Sequence, residues 1–390
     1  MRRQTFLTGT LFGVTGRAIE PPTVPPSMLH PGANVTPYGA PSHEEADVVR
    51  RPSGLPSPAM TPLQRQLGII TPSALHFVRT HAGVPDVHER RFRLAVRGLV
   101  RRSLDFTMDD LRRFPQISRT HFIECSGNTA PGWNALGTTV QFSHGLASCS
   151  VWTGLRLRDV LDEAGTPEDG TWLVVEGLDG AAYQRSIPMS KVRDDALLVY
   201  GQNGEALRPE QGYPLRLVLP GFEGSANVKW VHRLEVRRAP AYARDETARY
   251  AIERPDGKRV VFDLAMPVKS VIVDPSPGRR LERGTNELRG LAWSGAGSIA
   301  HVEVTVDDGT TWVPATLDSV SPRCFTRFTL PLRWSGAPLR LASRATDDTG
   351  QTQPTAQQFV AARGAGARYH VNRIQTWDVA ATGDITAGTI

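Results

Sequence analysis

Cys125 closes the apolar segment Phe122-Ile123-Glu124-Cys125, and the chain turns directly afterwards through Ser126-Gly127-Asn128. A thiol at the end of a strand faces whatever lies above the sheet, where a thiolate can act as a nucleophile or as a ligand for a soft metal. Taken alone, it reads as a buried and inert thiol. A thiol hydrolase would need a base such as His121 or His144, but His121 lies four residues back on the same strand and no oxyanion loop is evident. The other cysteines, Cys149 and Cys324, make no C-x-x-C pair, which excludes a disulfide framework, a zinc ribbon and a haem-attachment motif. The basic stretch holding Arg90, Arg91, Arg93, Arg97, Arg101 and Arg102 alternates with Phe92, Leu94 and Val96, the period of a half-buried strand with a solvated face. With no nucleic-acid motif beside it, no nucleic-acid partner is expected. Gly295-Ala296-Gly297-Ser298-Ile299-Ala300 matches a dinucleotide-loop pattern but leads into a strand, so it is set aside.

The elements that must position Cys125 follow from the rest of the chain. With 390 residues, 40% hydrophobic and 22% charged, the protein is large enough for two or three domains with cores of their own. No apolar run approaches the roughly 20 residues of a membrane-spanning helix. The net charge is +6, and the basic residues are overwhelmingly arginine, with lysine only at positions 191, 229, 258 and 269. The start, Met1-Arg2-Arg3 followed by a weakly apolar stretch, has the outline of a twin-arginine export signal without an A-x-A site. Periplasmic export is expected, with a cytoplasmic location as the alternative. Residues 1–62 are rich in Pro, Gly, Ser and His and read as an arm.

Residues 63–258 mix short strands with two helices. Strands are expected at 92–100, 121–124, 172–175, 197–200 and 215–219, the fourth running into a Gln202-Asn203-Gly204 turn. One helix starts at Thr107 and stops before Pro115; the other presents Leu157, Val160, Leu161 and Ala164 and ends at Gly165. In residues 259–390 the helical signal disappears, and strands are expected at 270–273, 287–293, 300–306, 312–317, 327–332 and 339–345. The third and fourth are joined by an Asp307-Asp308-Gly309 turn. That spacing predicts an immunoglobulin-like sandwich.

Five separated segments give Cys125 its company: Phe77-Val78-Arg79-Thr80-His81, the Cys125 turn, Glu176-Gly177-Leu178-Asp179, and Gln211-Gly212-Tyr213-Pro214-Leu215-Arg216 leading to Asn227-Val228-Lys229-Trp230. The last is Gly290-Leu291-Ala292-Trp293-Ser294-Gly295, with Val302-Glu303-Val304 and Trp312 after it. Through them the chain resembles, over roughly residues 70–380, the sulfite oxidase family of molybdopterin enzymes, and most of all bacterial sulfite and sulfane dehydrogenase molybdenum subunits. The resemblance implies an α+β, mostly β fold: a mixed α/β molybdopterin domain followed by an immunoglobulin-like dimerisation sandwich. It implies a molybdenum-molybdopterin cofactor with Cys125 as the metal ligand. Arg216 and Lys229 would hold the phosphate, and His81, Asp179 and Gln211 the pterin. The backbone of Phe77, Val78, Arg79, Thr80 and His81, and of Asn227, Val228 and Lys229, would close the pocket. Arg79 and Tyr250 would bind and orient the substrate. A thiophilic metal anchored by one thiolate, and an anion gathered by a fork and a point charge, fit this set chemically.

The activity so implied is oxidation of sulfite to sulfate, with electrons passed singly to an external acceptor such as cytochrome c, in a homodimer whose interface includes Trp293 and Trp312. The pattern also departs from its relatives. Thr129 and Ala130 stand where animal members carry two arginines, Gln211 where they have histidine and Thr80 where they have asparagine. His370 or Arg373 is expected to restore charge to the pocket. A less cationic pocket leaves room for protein-bound sulfur as the substrate. Outside the family, the rivals are the cysteine-dependent hydrolase and a non-catalytic sandwich protein.

Overall fold

The β-branched and aromatic runs before residue 240 assemble into two sheets, and those after residue 265 into two more. The computed structural model describes residues 28, 38–51, 58–130 and 138–388. Residues 1–47 are a unit apart; its described portion holds one 3-10 turn, His43–Glu45, begun by the Ser42 hydroxyl accepting from the Glu44 amide. The expected export signal lies outside the described residues. Residues 48–51 and 58–62, read as part of the arm, belong to the second unit. Arg51 pairs with Met60, Ala59 pairs with Val78, and Met60 is fully buried.

One sheet of the second unit runs Leu104–Phe106, Leu94–Gly98, Val231–Arg237, Trp172–Gly177, Gln184–Pro188. Leu94 and Val96 point into its core while Arg97 reaches out to Asp105, so the basic stretch is a solvated strand face as its period implied. The other sheet runs Ile117–Glu124, Ala147–Arg156, Leu197–Gln202, Glu205–Ala206, with Arg216–Val218 also paired to the third strand. Both expected helices form. Met108–Arg112 opens on a capping box in which the Thr107 hydroxyl accepts from the Asp110 amide and the Asp110 carboxylate from the Thr107 amide. Leu157–Ala164 buries its four apolar positions and stops at Gly165, which takes a left-handed φ of 73°.

The later sheets run Lys269–Asp274, Gly284–Trp293, Thr326–Trp334, Thr316–Asp318 and Val313–Pro314, Ile299–Thr305, Leu339–Asp347, Thr376–Val379, Ile385–Ala387. Val271, Leu291, Val302, Phe328, Leu341 and Trp377 share one core between them, which makes the sandwich. Three expectations need correction. The strand expected at 312–317 is two short strands on different sheets, broken where Pro314 offers no N–H to a ladder. A helix, Ala356–Arg363, does occur after residue 260. It buries only Phe359, so no apolar stripe marks it in the sequence. And Trp293 is not at an exposed face: it is fully buried where the sandwich meets the Cys125 sheet, whereas Trp312 is half-exposed beneath the Arg344 guanidinium, 4.4 Å from its ring.

The sandwich and the earlier sheets share a continuous core, in which Leu63, Phe122 and Cys149 join the sandwich residues. The Phe122 amide donates to Arg323 O at 3.1 Å and the Met266 amide to Gly221 O at 2.9 Å. At that second contact Gly221 and Gly295 lie back to back, and a Cβ on either would fall 2.1–2.2 Å from the other's carbonyl oxygen. The Gly295 string therefore has a packing reason: the backbone approaches too closely for a side chain.

Candidate active site

The chemistry-bearing residues gather because strand ends converge. Cys125 follows strand Ile117–Glu124 at its carboxyl end. Asp179 follows Trp172–Gly177, Arg216 opens its own strand, and Lys229 precedes Val231–Arg237, whose first residue pairs with Gly177. A cavity lies among them, lined by Phe77, Arg79, Thr80, His81, Cys125, Asp179, Gln211, Arg216, Asn227, Val228, Lys229 and Tyr250. Of the expected site residues only Val78 is not in that wall. Its amide and carbonyl are both spent on Ala59, at 2.8 and 2.9 Å, so it turns away from the site.

Cys125 sits on the inner wall, 8% exposed. Its amide donates to Leu146 O at 2.9 Å, and its carbonyl accepts from the Asn128 amide at 2.9 Å, closing the turn. Gly224 packs so tightly on this turn that a Cβ there would meet Glu124 O at 3.0 Å and Cys125 Cα at 3.2 Å. Burial pushes the thiol up to about 11, so it is a neutral thiol until a metal ion displaces its proton. Glu124 ties the turn to the sandwich: its carboxylate accepts from Lys269 Nζ, from Trp293 Nε1 at 2.7 Å and from Asn128 Nδ2 at 2.8 Å.

At the opposite wall Arg216 is 3% exposed and donates only to neutral acceptors, Gln211 O, Gln211 Oε1 and Asn227 O. Its Nε is buried and unpartnered, as is His76 Nε2. Lys229 Nζ donates to Glu210 O at 3.0 Å and lies 4.5 Å from the centre of the Trp230 ring. Neither cation makes an ion pair among the described residues. Desolvation lowers Arg216 to about 9; desolvation and then repulsion from Arg216 lower Lys229 to about 7, although it keeps some contact with solvent through the cavity. These two cations, one with an orphaned Nε, line a cavity with Arg79 and a single carboxylate, Asp179, which pairs with neither of them; positive charge is in excess there, and an anionic group would balance it.

Toward the mouth, Tyr250 Oη and His81 Nε2 are 3.0 Å apart, and the His81 ring stacks on Tyr183 at 5.0 Å. Desolvation and then the Arg79 charge lower His81 to about 4, so at neutral pH it is uncharged beside the phenol. The Arg185 guanidinium lies 5.1 Å from the centre of the Tyr250 ring, and behind it Glu223 pairs with Arg185 at 3.0 Å and with His370 at 2.9 Å. His370 thus brings no free charge to the cavity: its ring is spent on Glu223, and its amide donates to Ser126 O. Arg373 is not in the cavity wall either. Among the described residues Arg79, at this end, makes no ion pair and bonds only Thr80 O.

Gln211, expected to hold the pterin, and Asn227, whose backbone was expected to close the pocket, both have their side chains engaged by the protein. The Gln211 amide donates to Phe77 O at 3.0 Å and accepts from Arg216, locking the 77–81 segment to the cation. The Asn227 side chain accepts from Leu219 N and donates to Phe222 O and Glu223 O. Asp179 both lines the cavity and closes a turn by accepting from the Tyr183 amide at 3.0 Å. Sequence reasoning missed His76, Tyr183, Ser225 and Trp230 as wall residues. His76 adjoins one quoted segment and Trp230 ends another, so both were within reach; Tyr183 and Ser225 carry no local signal.

A cavity lined by one thiol, by two cations that make no ion pair among the described residues, and by a guanidinium and a phenol suits an organic anion that carries a thiophilic metal. Comparison with known proteins agrees. Residues 81–244 match the oxidoreductase molybdopterin binding domain, and residues 261–376 the Mo-co oxidoreductase dimerisation domain. The chain is 34% identical over 312 residues to mitochondrial sulfite oxidase of Homo sapiens, covering 73% of this chain and 57% of that protein. It is 33% identical to sulfite oxidase of Gallus gallus, covering 73% and 68%. It spans about half the length of the mammalian relatives it matches. Among solved structures it is similar to the sulfane dehydrogenase SoxCD from Paracoccus pantotrophus, at 40% identity and a TM-score of 0.91 over 94% of this chain and 97% of that one.

Proposed function

The chain belongs to the sulfite oxidase family of molybdopterin oxidoreductases, and from that premise we propose that it oxidises sulfite to sulfate and passes the electrons to a separate acceptor. The cofactor is molybdenum-molybdopterin. The reaction balances as sulfite plus water giving sulfate, two protons and two electrons. Bound in the cavity, the cofactor supplies oxygen-atom transfer and stores the two electrons.

The residues divide the remaining labour. Cys125 is the protein's ligand to the metal, and Arg216 with Lys229 neutralises the cofactor's phosphate. The backbone around 77–81 and 227–229 closes over the ring system, with Asp179 beside it. Arg79 binds the substrate dianion, and its fixed fork turns the anion toward the metal end of the cavity. Tyr250, held by neutral His81 and backed by Arg185, presents its phenol to the same anion without adding charge. Tyr183 packs under His81 and keeps water from that side. The single observation that carries this reading is the placement of Cys125, Arg79 and the Tyr250–His81 pair in one cavity whose far wall holds two cations lacking an anion.

A second reading, oxidation of protein-bound sulfane sulfur, is favoured by the likeness to sulfane dehydrogenase over nearly the whole chain. We place the molybdopterin domain at 63–258 and the sandwich at 259–390, and infer a homodimer from the match to the dimerisation domain. Mixing molybdenum-loaded protein with sulfite in the absence of any acceptor tests the function. Bleaching of the cofactor's visible absorption by sulfite is expected. Full molybdenum content with no response to sulfite would reject the sulfite reading in favour of the sulfane one.

A further inference from the structure

Beyond Tyr250 a second, open cleft is lined by Arg249, Arg254, Arg259, Arg363 and Arg368 against one acidic residue, Glu253. It adjoins the cavity. Tyr250 is in the wall of one and Tyr369 in the wall of the other, with ring centres 5.5 Å apart, and Arg249 follows directly on the helix Arg244–Ala248 that leads to Tyr250. Arg249 pairs with Asp245 at 3.2 Å and Arg363 with Asp263 at 3.0 Å. Arg254, Arg259 and Arg368 are exposed and make no ion pair among the described residues.

These three guanidiniums are spread along an open cleft rather than converging in a buried one. They therefore suit an extended surface of carboxylates, not a single small ion. Another arginine-lined cleft, formed by Arg119, Arg156, Arg158 and Arg323, takes Asp194 and Asp195 into its own wall. It runs along residues 117–121 of strand Ile117–Glu124, about 13 to 26 Å from Cys125 at about 3.3 Å per residue. Only the first cleft is placed to serve the cavity mouth.

We propose that this cleft is the docking surface for a protein electron acceptor with an acidic face. The inference rests on the reading of the chain as an oxidoreductase with an external acceptor, and it specifies the acceptor's chemistry. Two electrons leave one at a time, each reducing one ferric haem to ferrous, so two acceptor molecules dock in turn for each sulfite oxidised. A lysine-rich cytochrome c meets like charge here; an acceptor whose redox centre is ringed by carboxylates is drawn in.

The test uses molybdenum-loaded full-length protein, sulfite, and one basic cytochrome c in two forms, native and succinylated on its lysines, so that the haem is kept and the charge reversed. At low ionic strength the succinylated form should be reduced about tenfold or more faster. Its rate should fall with added salt while that of the native form rises. The triple variant Arg254→Glu, Arg259→Glu, Arg368→Glu should reverse that order, with the acceptor-free reaction with sulfite unchanged. Preference for the native form at low salt, or a triple variant that keeps the parent's preference and salt slope, would overturn the proposal. Should sulfite fail to reduce even the parent, the functional reading fails by itself. Docking is then decided by titrating the succinylated cytochrome against both proteins at low salt: tighter binding to the parent supports the cleft, and equal binding overturns it.

Discussion

Arg79 and the Arg216–Lys229 pair are cations of one cavity with different tasks, and substitution separates them. Arg79 lies at the mouth with no carboxylate partner among the described residues, so Arg79→Gln should raise KM for sulfite and lower kcat together. The loss of one charged hydrogen bond, about 1.5–3 kcal/mol, corresponds to roughly tenfold to a hundredfold in kcat/KM. Steady-state kinetics that leave KM unchanged would mean that Arg79 does not hold the anion. Lys229 reports on the cofactor. Without an anion its ammonium is lowered from 10.5 to about 7 in the fold. Between those values the unfolded chain binds more protons than the folded one, so the stability of cofactor-free protein should rise as pH increases from 7 to 10.5. Thermal unfolding of cofactor-free and loaded protein across that range checks this. Between pH 7 and 9 the rise should be present in the first and absent from both the second and cofactor-free Lys229→Met; above pH 9 Arg216, lowered to about 9, adds a rise of its own in either cofactor-free protein. His76 and His81, lowered to about 3 and about 4 by burial, act in the same direction at lower pH: the fold loses stability as pH drops below 6.5, where the unfolded imidazoles take up protons first.

At the scale of elements, the Cys125 turn depends on the sandwich through one buried pair. Lys269, from the first sandwich strand, and Glu124 are 1% and 0% exposed as side chains. Lys269→Met leaves a carboxylate charged and buried, with only Trp293 and Asn128 to share it. It should cost about 3–5 kcal/mol in urea unfolding, and Glu124→Gln added to it should return part of the loss. A cost under about 1 kcal/mol would show that the pair does not couple the two parts. Elements of this kind mark how far the sequence could be read. The strand ending at Cys125, the Thr107 cap and the Gly165 stop follow from local rules and were legible. Helix Ala356–Arg363 was not, because its one buried residue leaves no period. Trp293 was misread for a related reason: an apolar residue on a strand looks the same whether it covers a partner subunit or an adjoining domain. Cys125, Arg79, Arg216 and Lys229, all from the quoted segments, come together in one cavity wall, a juxtaposition the segments pointed to. Tyr183 and Ser225 were not legible, since only tertiary packing brings them to the wall. Val78 was over-assigned because the pairing with Ala59, far from it in sequence pattern, decides where its backbone groups go.

For the whole molecule, the sandwich leaves Val313 and Val320 about half exposed, while its own core is filled. A two-fold dimer through this part is the expected assembly. Light scattering at micromolar concentration should give about twice the chain mass of 42.6 kDa; a mass of one chain would contradict it. Among the described residues no helix is long and apolar enough to cross a membrane. The central claim is that Cys125 holds a molybdenum cofactor in the cavity that Arg79 and Tyr250 serve. Molybdenum X-ray absorption on parent and Cys125→Ser protein tests it most directly. The account predicts about one molybdenum per chain in both, the loss of one sulfur neighbour from the metal in the variant, and loss of sulfite turnover with the fold retained. An unchanged sulfur shell with near-normal turnover in Cys125→Ser would contradict it.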